Sequence, residues 1–466
     1  MVGQKVAASD ASVHVSKRIV LLVAVLSSFI TPLMLSANNI AIPSIGREFN
    51  MDVITLSWVA TSYSLAAATF LVPFGRIADI HGRRKLLFWG VVVFTVASLL
   101  CALSVSEATL LAFRVLQGIG AAMQFGTSTA ILTSVFPPQE RGRVLGLSVA
   151  SVYTGLSIGP FVGGMLTQTL GWRSIYLMIV PLGLAMSVAI LWGLRAEWAD
   201  ARGEKLDVWG SLVYAVSIVA LMYGLTALPA AHGGVLIAFG LIGLLAFVIW
   251  ELRVTHPVLN IALFRGNSVF AFSNLAAFVN YSATSAVGFL LSLYLQYLKG
   301  LSPWEAGMVL LSQPVVQAIF SPLAGRLSDR VEPRLVASSG MAITVMGLVL
   351  FTFLDAQTSQ TYIITVLLLS GFGFALFSSP NTNAVMSSVE KRHYGIASAT
   401  IGTMRLTGQM LSMGIAMLVF SLIIGAAEIT PDRYPAFLLA ARSIFYIFTG
   451  LCLVGVFASL ARGKLR

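Results

Sequence analysis

Long apolar stretches recur from one end of the chain to the other, and short polar segments separate them. Each stretch has about the 20 residues that an α-helix needs to cross the hydrocarbon core of a bilayer. Because a backbone in lipid must satisfy its own hydrogen bonds, these stretches predict transmembrane helices. We place fourteen of them at about residues 18–41, 54–79, 85–104, 108–135, 142–168, 175–194, 207–228, 234–252, 269–298, 302–328, 334–354, 360–388, 394–424 and 438–461.

Charge decides how these helices are oriented. Only 10% of the 466 residues are charged, against about 25% in a soluble domain. With a cytoplasmic N-terminus, about 22 Lys and Arg residues fall in cytoplasmic segments and about five on the opposite face. This asymmetry predicts a protein of the cytoplasmic (inner) membrane with both termini in the cytoplasm. It also accounts for the net charge of +11 without a nucleic-acid partner.

The N-terminal residues and the cysteines add no further chemistry. Residues 1–17 lack the short apolar core of a signal peptide, and we expect them to form a cytoplasmic tail. Cys101 and Cys452 both fall in apolar stretches. They offer neither a disulfide framework nor the spacing of a metal site.

An internal repeat divides the chain. Residues 75–79 read Gly-Arg-Ile-Ala-Asp after the second predicted helix, and residues 325–329 read Gly-Arg-Leu-Ser-Asp after the tenth. Two copies of a six-helix bundle are therefore predicted, and parallel repeats with a site between them are typical of transporters. The predicted divisions are a tail at 1–17, an N-terminal bundle at 18–195, two inserted helices with linkers at 196–266, a C-terminal bundle at 267–461 and a tail at 462–466.

The loop after the second helix has features that topology alone does not require. Gly75 and Gly82 permit a tight turn and a close approach between helices. Asp79 lies where a carboxylate can meet the unpaired N–H groups at the start of a neighbouring helix. The basic residues of the loop, Arg76, Arg83, Arg84 and Lys85, hold it in the cytoplasm and give Asp79 partners. In one conformation Asp79 is expected to pair instead with a helix N-terminus or with Arg141 or Arg143. We predict that this loop acts as a gate, and the alternative is a plain topogenic loop.

These residues resemble the signature loop of the major facilitator superfamily, and the resemblance extends over nearly the whole chain. Residues 114–120 in the fourth helix are similar to the family's second motif, and residues 155–164 in the fifth are similar to the motif typical of its exporters. Residues 294–296 and 300–302 are similar to the fourteen-helix drug:proton antiporter branch. The resemblance implies an all-α fold of two six-helix bundles plus two inserted helices, and proton-linked export of drug-like compounds by alternating access.

A glycine stripe runs along the fifth helix. Gly155, Gly159 and Gly163 recur every four residues, so they let a neighbouring helix approach closely and slide. Pro160 removes a backbone donor and bends the helix, and Gly164 follows the stripe. Because the resemblance implies that this helix lies between the two halves, we predict a role in gating. Static packing is the alternative.

Two arginines, Arg114 and Arg405, fall inside predicted helices. A guanidinium at that depth is costly and usually faces a cavity or a partner. Gln117 lies one turn beyond Arg114, and the resemblance implies that this arginine serves proton or substrate coupling. The alternative is a structural arginine that neighbouring carbonyls and amides satisfy. Arg405, with Gln409 on the same face, is a second candidate.

The first helix departs from the family pattern. Residues 39–43 read Asn-Ile-Ala-Ile-Pro, and Met34 stands five residues before Asn39, where this branch usually has a carboxylate. Proton coupling needs a group that titrates near ambient pH, usually a buried acid. Glu107, two turns outward from Arg114, is the remaining candidate. A cavity with two arginines and no acid should prefer neutral, zwitterionic or anionic amphiphiles.

Polar and aromatic residues within the helices are candidates for the cavity lining. Each has the alternative of holding helices together. The candidates are Met34, Asn38, Asn39, Tyr63, Gln124, Tyr153, Asn280, Tyr281, Gln313, Gln317, Asn381 and Asn383.

The sequence thus predicts a monomeric secondary transporter rather than an enzyme. Its expected partners are an amphiphilic small molecule, protons and the lipid bilayer, with no cofactor and no metal. No Gly-x-x-x-x-Gly-Lys motif for nucleotide binding is present. Two alternatives stay open. One is a lipid or metabolite carrier (a flippase) that is not coupled to protons through a central carboxylate, and the other is a non-transporting sensor or scaffold.

The topology can be tested with cysteine labelling. In a background without Cys101 and Cys452, Gly3→Cys and Lys464→Cys should resist an impermeant maleimide added to intact spheroplasts, because both termini are predicted to be cytoplasmic. They should react once the membrane is permeabilised. Lys299→Cys, on the predicted opposite face, should label from outside as the control. Efficient labelling of either terminus from outside would contradict the topology.

Overall fold

The structure is a computed structural model that describes residues 16–194, 196–254, 257–258, 264–328, 330–390 and 394–463. At residues 138, 139, 141–143, 145, 149, 394–396 and 398 it describes the backbone alone. Most of the predicted N-terminal tail (1–15), the last residues (464–466) and Asp329 of the repeat lie outside this range.

The described residues form sixteen α-helices. They are α1 (Lys17–Phe49), α2 (Val53–His81), α3 (Arg83–Ala102), α4 (Glu107–Val135), α5 (Pro138–Leu170), α6 (Arg173–Leu177), α7 (Ile179–Gly193), α8 (Val208–Ala227), α9 (Ala231–Glu251), α10 (Ser268–Thr284), α11 (Val287–Leu293), α12 (Pro303–Ser328), α13 (Pro333–Phe351), α14 (Gln360–Ser387), α15 (Tyr394–Ile423) and α16 (Tyr434–Ala461).

Joined end to end where they continue one another, these helices give fourteen segments long and apolar enough to cross a membrane. α6 with α7 forms one such segment, and α10 with α11 and the π-helical Tyr294–Leu298 forms another. This confirms the predicted all-α fold with fourteen spans. Because the number is even, Lys17 and Arg462 lie on one face, which we call the terminal face. The opposite side is the far face.

Helix ends follow local capping chemistry more closely than they follow hydropathy. α2 begins at Val53 because the Asp52 side chain accepts a hydrogen bond from Thr55 N at 2.8 Å. α1 runs to Phe49, well beyond its predicted end near residue 41, with Pro43 inside it. Prolines are tolerated within membrane helices because neighbouring groups satisfy the freed carbonyls. α1 ends where Asn50 adopts a left-handed conformation with φ 52°.

The packing separates two groups of helices. In the N-terminal half, α1 packs on α5, and α4 packs on α2 and α3. In the C-terminal half, α14 packs on α12 and α13, and α10 packs on α15 and α16. The halves meet along α5 with α12 and along α2 with α15. α8 and α9 pair with each other, and α8 rests on α2 and α15. The inserted pair therefore touches both halves.

The glycine stripe faces α1, which belongs to the same half. A Cβ built on Gly155 would lie 2.5 Å from Phe29 O, and one on Gly159 would lie 2.5 Å from Ser36 Cβ. Gly163 meets the backbone of Ala37 in the same way. The close helix approach that the stripe predicts is therefore made to α1, within the N-terminal half, and the role of the stripe in gating stays a prediction. The helix does contact both partners, but the three glycines point inward.

The other face of α5 supplies the contact between the halves. A Cβ on Gly164 would lie 2.7 Å from Pro303 O, and Gly307 of α12 packs directly against the carbonyl of Pro160. Phe161 and Trp304 pack with ring centroids 4.9 Å apart. Pro160, Phe161 and Gly164 are therefore among the α5 residues at the boundary between the halves, whereas the stripe faces α1.

Replacing Gly159 should therefore act through the α1–α5 contact. Gly159→Leu is expected to lower the free energy of unfolding by about 1–3 kcal/mol, because the side chain has to enter a space already filled by Ser36. Gly146→Leu on the same helix is the matched control, since nothing lies within 4 Å of a Cβ there. Thermal unfolding in detergent measures the difference. Equal stability of the two variants would show that α1 and α5 do not pack this closely.

Candidate transport site

A cavity lies between the two halves at the middle depth of the helices. α1, α2, α4 and α5 supply one wall, and α10, α11, α12, α14 and α15 supply the other. The lining residues are Thr31, Pro32, Leu35, Ser36, Asn39, Ile40, Tyr63, Phe125, Val152, Tyr153, Leu156, Pro160, Tyr281, Thr284, Ser285, Gly288, Leu310, Gln313, Pro314, Gln317, Phe374, Arg405, Leu406 and Gln409.

Arg405 is the one charged side chain among these described lining residues. It projects from α15, and its guanidinium carbon lies 5.5 Å from the ring centroid of Phe125 on α4. This cation–π contact crosses from one half to the other. One turn further along α15, Gln409 Oε1 is buried without a hydrogen-bond partner in the described protein, as is Gln317 Nε2 on α12. The C-terminal wall therefore presents a cation, an amide acceptor and an amide donor.

Aromatic rings make up much of the remaining lining. Tyr281 and Phe374 meet edge to face, with ring centroids 5.5 Å apart. Tyr153 of α5 shares a hydrogen bond with Ser378 of α14, which joins the halves at this depth. Neither Phe125 nor Phe374 stood out in the sequence, because a phenylalanine in an apolar helix carries no signal of which way it faces. The cavity thus combines ring faces with a few polar groups, as small-molecule sites usually do.

The sequence candidates divide into two groups. Those that line the cavity are Asn39, Tyr63, Tyr153, Tyr281, Gln313, Gln317 and Arg405. Those outside the lining are Met34, Asn38, Gln124, Asn280 and Asn381, which are buried, and Asn383, which is half-buried. The second group therefore corrects the prediction that these side chains line the cavity.

Hydrogen bonds between helices account for most of the second group. Asn38 accepts a hydrogen bond from Tyr176 Oη at 2.6 Å, and Gln124 Nε2 donates to Gly90 O at 3.3 Å. Asn381 donates to Ser273 O at 3.1 Å and accepts from Arg462 Nη1 at 3.1 Å. Asn383 donates to Ser328 Oγ at 2.9 Å. These amides hold helices together within each half.

Met34 faces away from the cavity for a reason of helix geometry. Thr31, Leu35 and Asn39 share the lining face of α1, whereas Met34 and Asn38 are one helical turn apart on a neighbouring face. Both are fully buried. The place where the resemblance implies an acid therefore lies inside the N-terminal half.

Arg114 is likewise inside the N-terminal half, at 0% exposure. Its Nε donates to Val59 O at 3.0 Å, and its Nη1 donates to Gln117 Oε1 at 2.6 Å. Gln117 Nε2 donates in turn to Ser98 Oγ at 2.8 Å. The guanidinium carbon lies 4.8 Å from the centroid of the Tyr63 ring, and Tyr63 also lines the cavity. Tyr63 is thus a residue of the cavity lining that also contacts Arg114, which is not itself in the lining.

The charge on Arg114 is not neutralised locally. No salt bridge reaches it from any described residue, and its Nη2 has no hydrogen-bond partner among them. Glu107, on the same helix, has an exposed side chain at the far face. Carbonyl and amide oxygens together with a ring face are the groups that hold this cation. The contacts of Arg114 are those expected of a structural arginine that neighbouring carbonyls and amides satisfy. Its role in coupling stays a prediction.

The signature loop lies on the terminal face. Asp79 Oδ1 accepts hydrogen bonds from Arg83 Nε at 2.9 Å and from Arg83 Nη2 at 2.6 Å. Arg83 also reaches Ser134 Oγ at the end of α4. Arg76 pairs with Glu204, and Gly82 adopts φ 121° between α2 and α3. A Cβ on Gly75 would meet nothing within 4 Å, although its own Cα lies 3.4 Å from a Cβ built on Gly126 of α4.

The far face is sealed between the halves. Ser292 Oγ donates to Asn39 O at 2.7 Å, and Gln296 Nε2 donates to Ile40 O at 2.9 Å. Arg47 stacks over Tyr297, 5.4 Å from its ring centroid. Hydrogen bonds between described residues of the two halves lie either at this face or at the middle depth. The cavity is therefore closed toward the far face.

Two groups of membrane-spanning helices with a central cavity between them are the arrangement of a multi-pass membrane transporter. The sequence model of the Major Facilitator Superfamily matches residues 24–264 and 273–464, and the chain belongs to that superfamily. The cavity lies between its two matched segments.

Known proteins similar to this chain include a riboflavin transporter and a multidrug resistance protein. The chain is 27% identical over 446 residues to the riboflavin transporter RibZ of Clostridioides difficile, covering 94% of this chain and 96% of that protein. It is 31% identical over 383 residues to the multidrug resistance protein Stp of Mycobacterium tuberculosis, covering 81% of this chain and 71% of that protein.

Solved structures share the fold at lower identity. A bacterial homologue of the human lysosomal transporter Spinster, in an inward-facing and occupied conformation, matches with a TM-score of 0.65 and 18% identity, covering 96% of each chain. The human organic anion transporter TETRAN matches with a TM-score of 0.64 and 16% identity, covering 95% of this chain and 98% of that one.

From the contacts of Arg114 we predict that two variants change the free energy of unfolding in opposite directions. Arg114→Met combined with Gln117→Leu should raise the free energy of unfolding by about 1–4 kcal/mol, because it removes a buried charge together with its amide partner. Gln117→Leu alone should lower it, since the guanidinium then loses its Nη1 acceptor. Thermal unfolding in detergent measures both changes. A less stable double variant would show that the charge contributes net stability.

Proposed function

We propose that this chain exports amphiphilic, drug-like small molecules across the cytoplasmic membrane by alternating access of its two halves. The substrate enters from the cytoplasm at the terminal face, occupies the central cavity and leaves at the far face. The observation that carries the proposal is the cavity itself, which combines aromatic rings, unpaired amide atoms and Arg405 at the middle depth of the helices.

The residues of the described cavity lining also indicate which charge the substrate carries. Arg405 presents a cation without a carboxylate beside it in that lining, so an anionic or acceptor-rich group on the substrate would complete its interactions. The rings of Phe125, Tyr281 and Phe374 would pack against the apolar part of the same molecule. We therefore propose anionic or neutral amphiphiles rather than lipophilic cations.

We further propose that export is linked to protons, as the antiporter branch implies. The described lining offers no acid that could carry the proton, and Glu107 lies exposed at the far face. In this proposal the proton is carried outside the lining or on the substrate itself, and Arg114 serves coupling through Tyr63, the ring that it touches.

A second candidate is a carrier for a metabolite, without proton coupling through a central carboxylate. The similarity to the riboflavin transporter RibZ, which extends over 94% of this chain, favours it. The unpaired Gln409 Oε1 and Gln317 Nε2 would suit a planar molecule with both a donor and an acceptor on its edge. A lipid carrier and a non-transporting sensor are further outcomes of the test below.

Substrate charge can be tested with matched probes. Purified protein in liposomes should bind and move an amphiphilic anionic dye and ignore a lipophilic cation of similar size. Arg405→Gln should weaken binding of the anion about tenfold, because a charge-assisted hydrogen bond is lost. Arg433→Gln, with an exposed side chain on the far face, should leave binding unchanged. Riboflavin and a fluorescent phospholipid serve as probes for the alternative carriers.

The outcomes separate the candidates. Tight binding of the cation, with Arg405→Gln indistinguishable from the native protein, would contradict the proposed substrate charge. Movement of riboflavin but not of the dye would favour the metabolite carrier. Binding without movement of any probe, with or without a proton gradient, would favour the sensor.

A further inference from the structure

The linker between α7 and α8 lies across the signature loop on the terminal face. It runs from Ala196 to Leu206, just before the α8 N-cap residue Asp207, and carries three acids, Glu197, Asp200 and Glu204. Each of them contacts the loop at residues 76–84. The loop therefore has partners on a segment more than a hundred residues away that leads to the inserted helices.

Two backbone hydrogen bonds fix the linker to the loop. Arg83 N donates to Trp198 O at 2.9 Å, and Ala201 N donates to Asp79 O at 2.9 Å. The Trp198 side chain packs against the main hydrophobic core of the protein. In one bond the loop is the donor, and in the other the linker is the donor. The backbones of the linker and the loop are therefore hydrogen-bonded to each other whatever the charges of their side chains.

Glu197 caps the start of α3. Its Oε1 accepts a hydrogen bond from Arg84 N at 2.8 Å, at a helix whose own N-cap residue, Gly82, has no side chain to offer. The Gly82 Cα lies so close to this carboxyl group that a Cβ there would collide with it. Gly82 is thus needed both for its φ of 121° and for the approach of Glu197.

Two ion pairs complete the contact. Asp200 Oδ2 lies 2.7 Å from Arg83 Nη1, on the guanidinium that Asp79 holds from the other side. Glu204 pairs with Arg76, one turn before Asp79 on α2. The cations of the signature loop are therefore shared between the loop's own carboxylate and the linker.

We infer that Glu197, Asp200 and Glu204 are positioning residues of the signature loop, through which the inserted pair α8–α9 influences the opening of the terminal face. α8 follows the linker directly and rests on α2 of one half and α15 of the other. A change in the angle between the halves thus moves α8, and the linker passes that movement to the loop. This inference rests on the proposed transport function for its effect on turnover, but the contacts can be tested without it.

The first experiment measures the contacts. Hydrogen exchange in lipid nanodiscs should become about fivefold faster at the amides of residues 79–85 and 198–201 in Asp200→Asn/Glu204→Gln, as expected from the loss of two partly exposed ion pairs. Lys205→Gln, an exposed cation in the same linker, should leave exchange unchanged. The charge exchange Arg76→Glu/Glu204→Arg should restore slow exchange if Arg76→Glu alone accelerates it. Unchanged exchange in the acid-neutralised variant would overturn the inference.

The second experiment measures opening. Spin labels at Lys85→Cys and Arg330→Cys report the separation of the two halves at the terminal face, in a background without Cys101 and Cys452. The acid-neutralised variant Asp200→Asn/Glu204→Gln should shift this distance distribution. The charge exchange Arg76→Glu/Glu204→Arg should give the same distribution as the native protein. Faster exchange without a shift in distance would reduce the linker to a structural contact and overturn its positioning role. In the variants that shift the distance, transport of the anionic dye should fall while the affinity of the protein for the dye stays constant. If the distance shifts but the protein moves no probe, the result counts against the proposed function and not against the positioning role.

Discussion

The cost of a guanidinium within the membrane is the constraint that organises this protein. Arg114 and Arg405 meet it in different ways. Arg114 is fully enclosed by a carbonyl, an amide and the ring of Tyr63, so its contacts are fixed by the N-terminal half. Arg405 borders the cavity and rests on Phe125 of the other half. The first arrangement is independent of the angle between the halves, whereas the second depends on it. A ligand that bonds to Arg405 therefore competes with a contact between the halves, which is how binding can bias a two-state equilibrium.

α5 gives this arrangement its mechanical basis. Its stripe of glycines faces α1, and Pro160 with Gly164 faces α12. One helix is thus packed at backbone distance against both halves. Close contacts of this kind restrict separation but permit small rotations, because few side chains interlock across them. The sealed far face and the middle-depth contacts between α5 and α14 lie on the same boundary. Movement between the halves is therefore expected to pivot along α5.

The sequence predicted the helices well because hydropathy and length are local properties. It also predicted two arginines within long apolar helices, and Arg114 and Arg405 lie in α4 and α15. It could not predict which side of a helix faces the cavity. α1 is apolar and buried nearly all round, so no amphipathic pattern separates Met34 and Asn38 from Asn39. The same limit explains why the sequence does not distinguish Gln124 and Asn381 from residues that line the cavity.

The residues of the linker that pair with the signature loop could not be predicted from the sequence, for a different reason. Glu204 and Arg76 are 128 residues apart, and Asp200 lies in a linker whose basic residues indicated only topology. Ion pairs between distant segments depend on tertiary packing that charge counts do not contain. The role of the acids at 197, 200 and 204 can be inferred only from their contacts with the loop in the folded protein.

The charge of the proposed substrate also bears on what must drive export. A cell interior that is negative favours the exit of an anion by about 2.3 kcal/mol per charge for each 100 mV of membrane potential. That is a concentration ratio of roughly fiftyfold, supplied without a proton carrier in the cavity. A lipophilic cation would have to be exported against the same potential, and a titrating carboxylate in the cavity is one way to meet that cost. A lining that has Arg405 and no acid among its described residues is thus suited electrically to anions, while a neutral amphiphile would still need a coupling ion bound elsewhere.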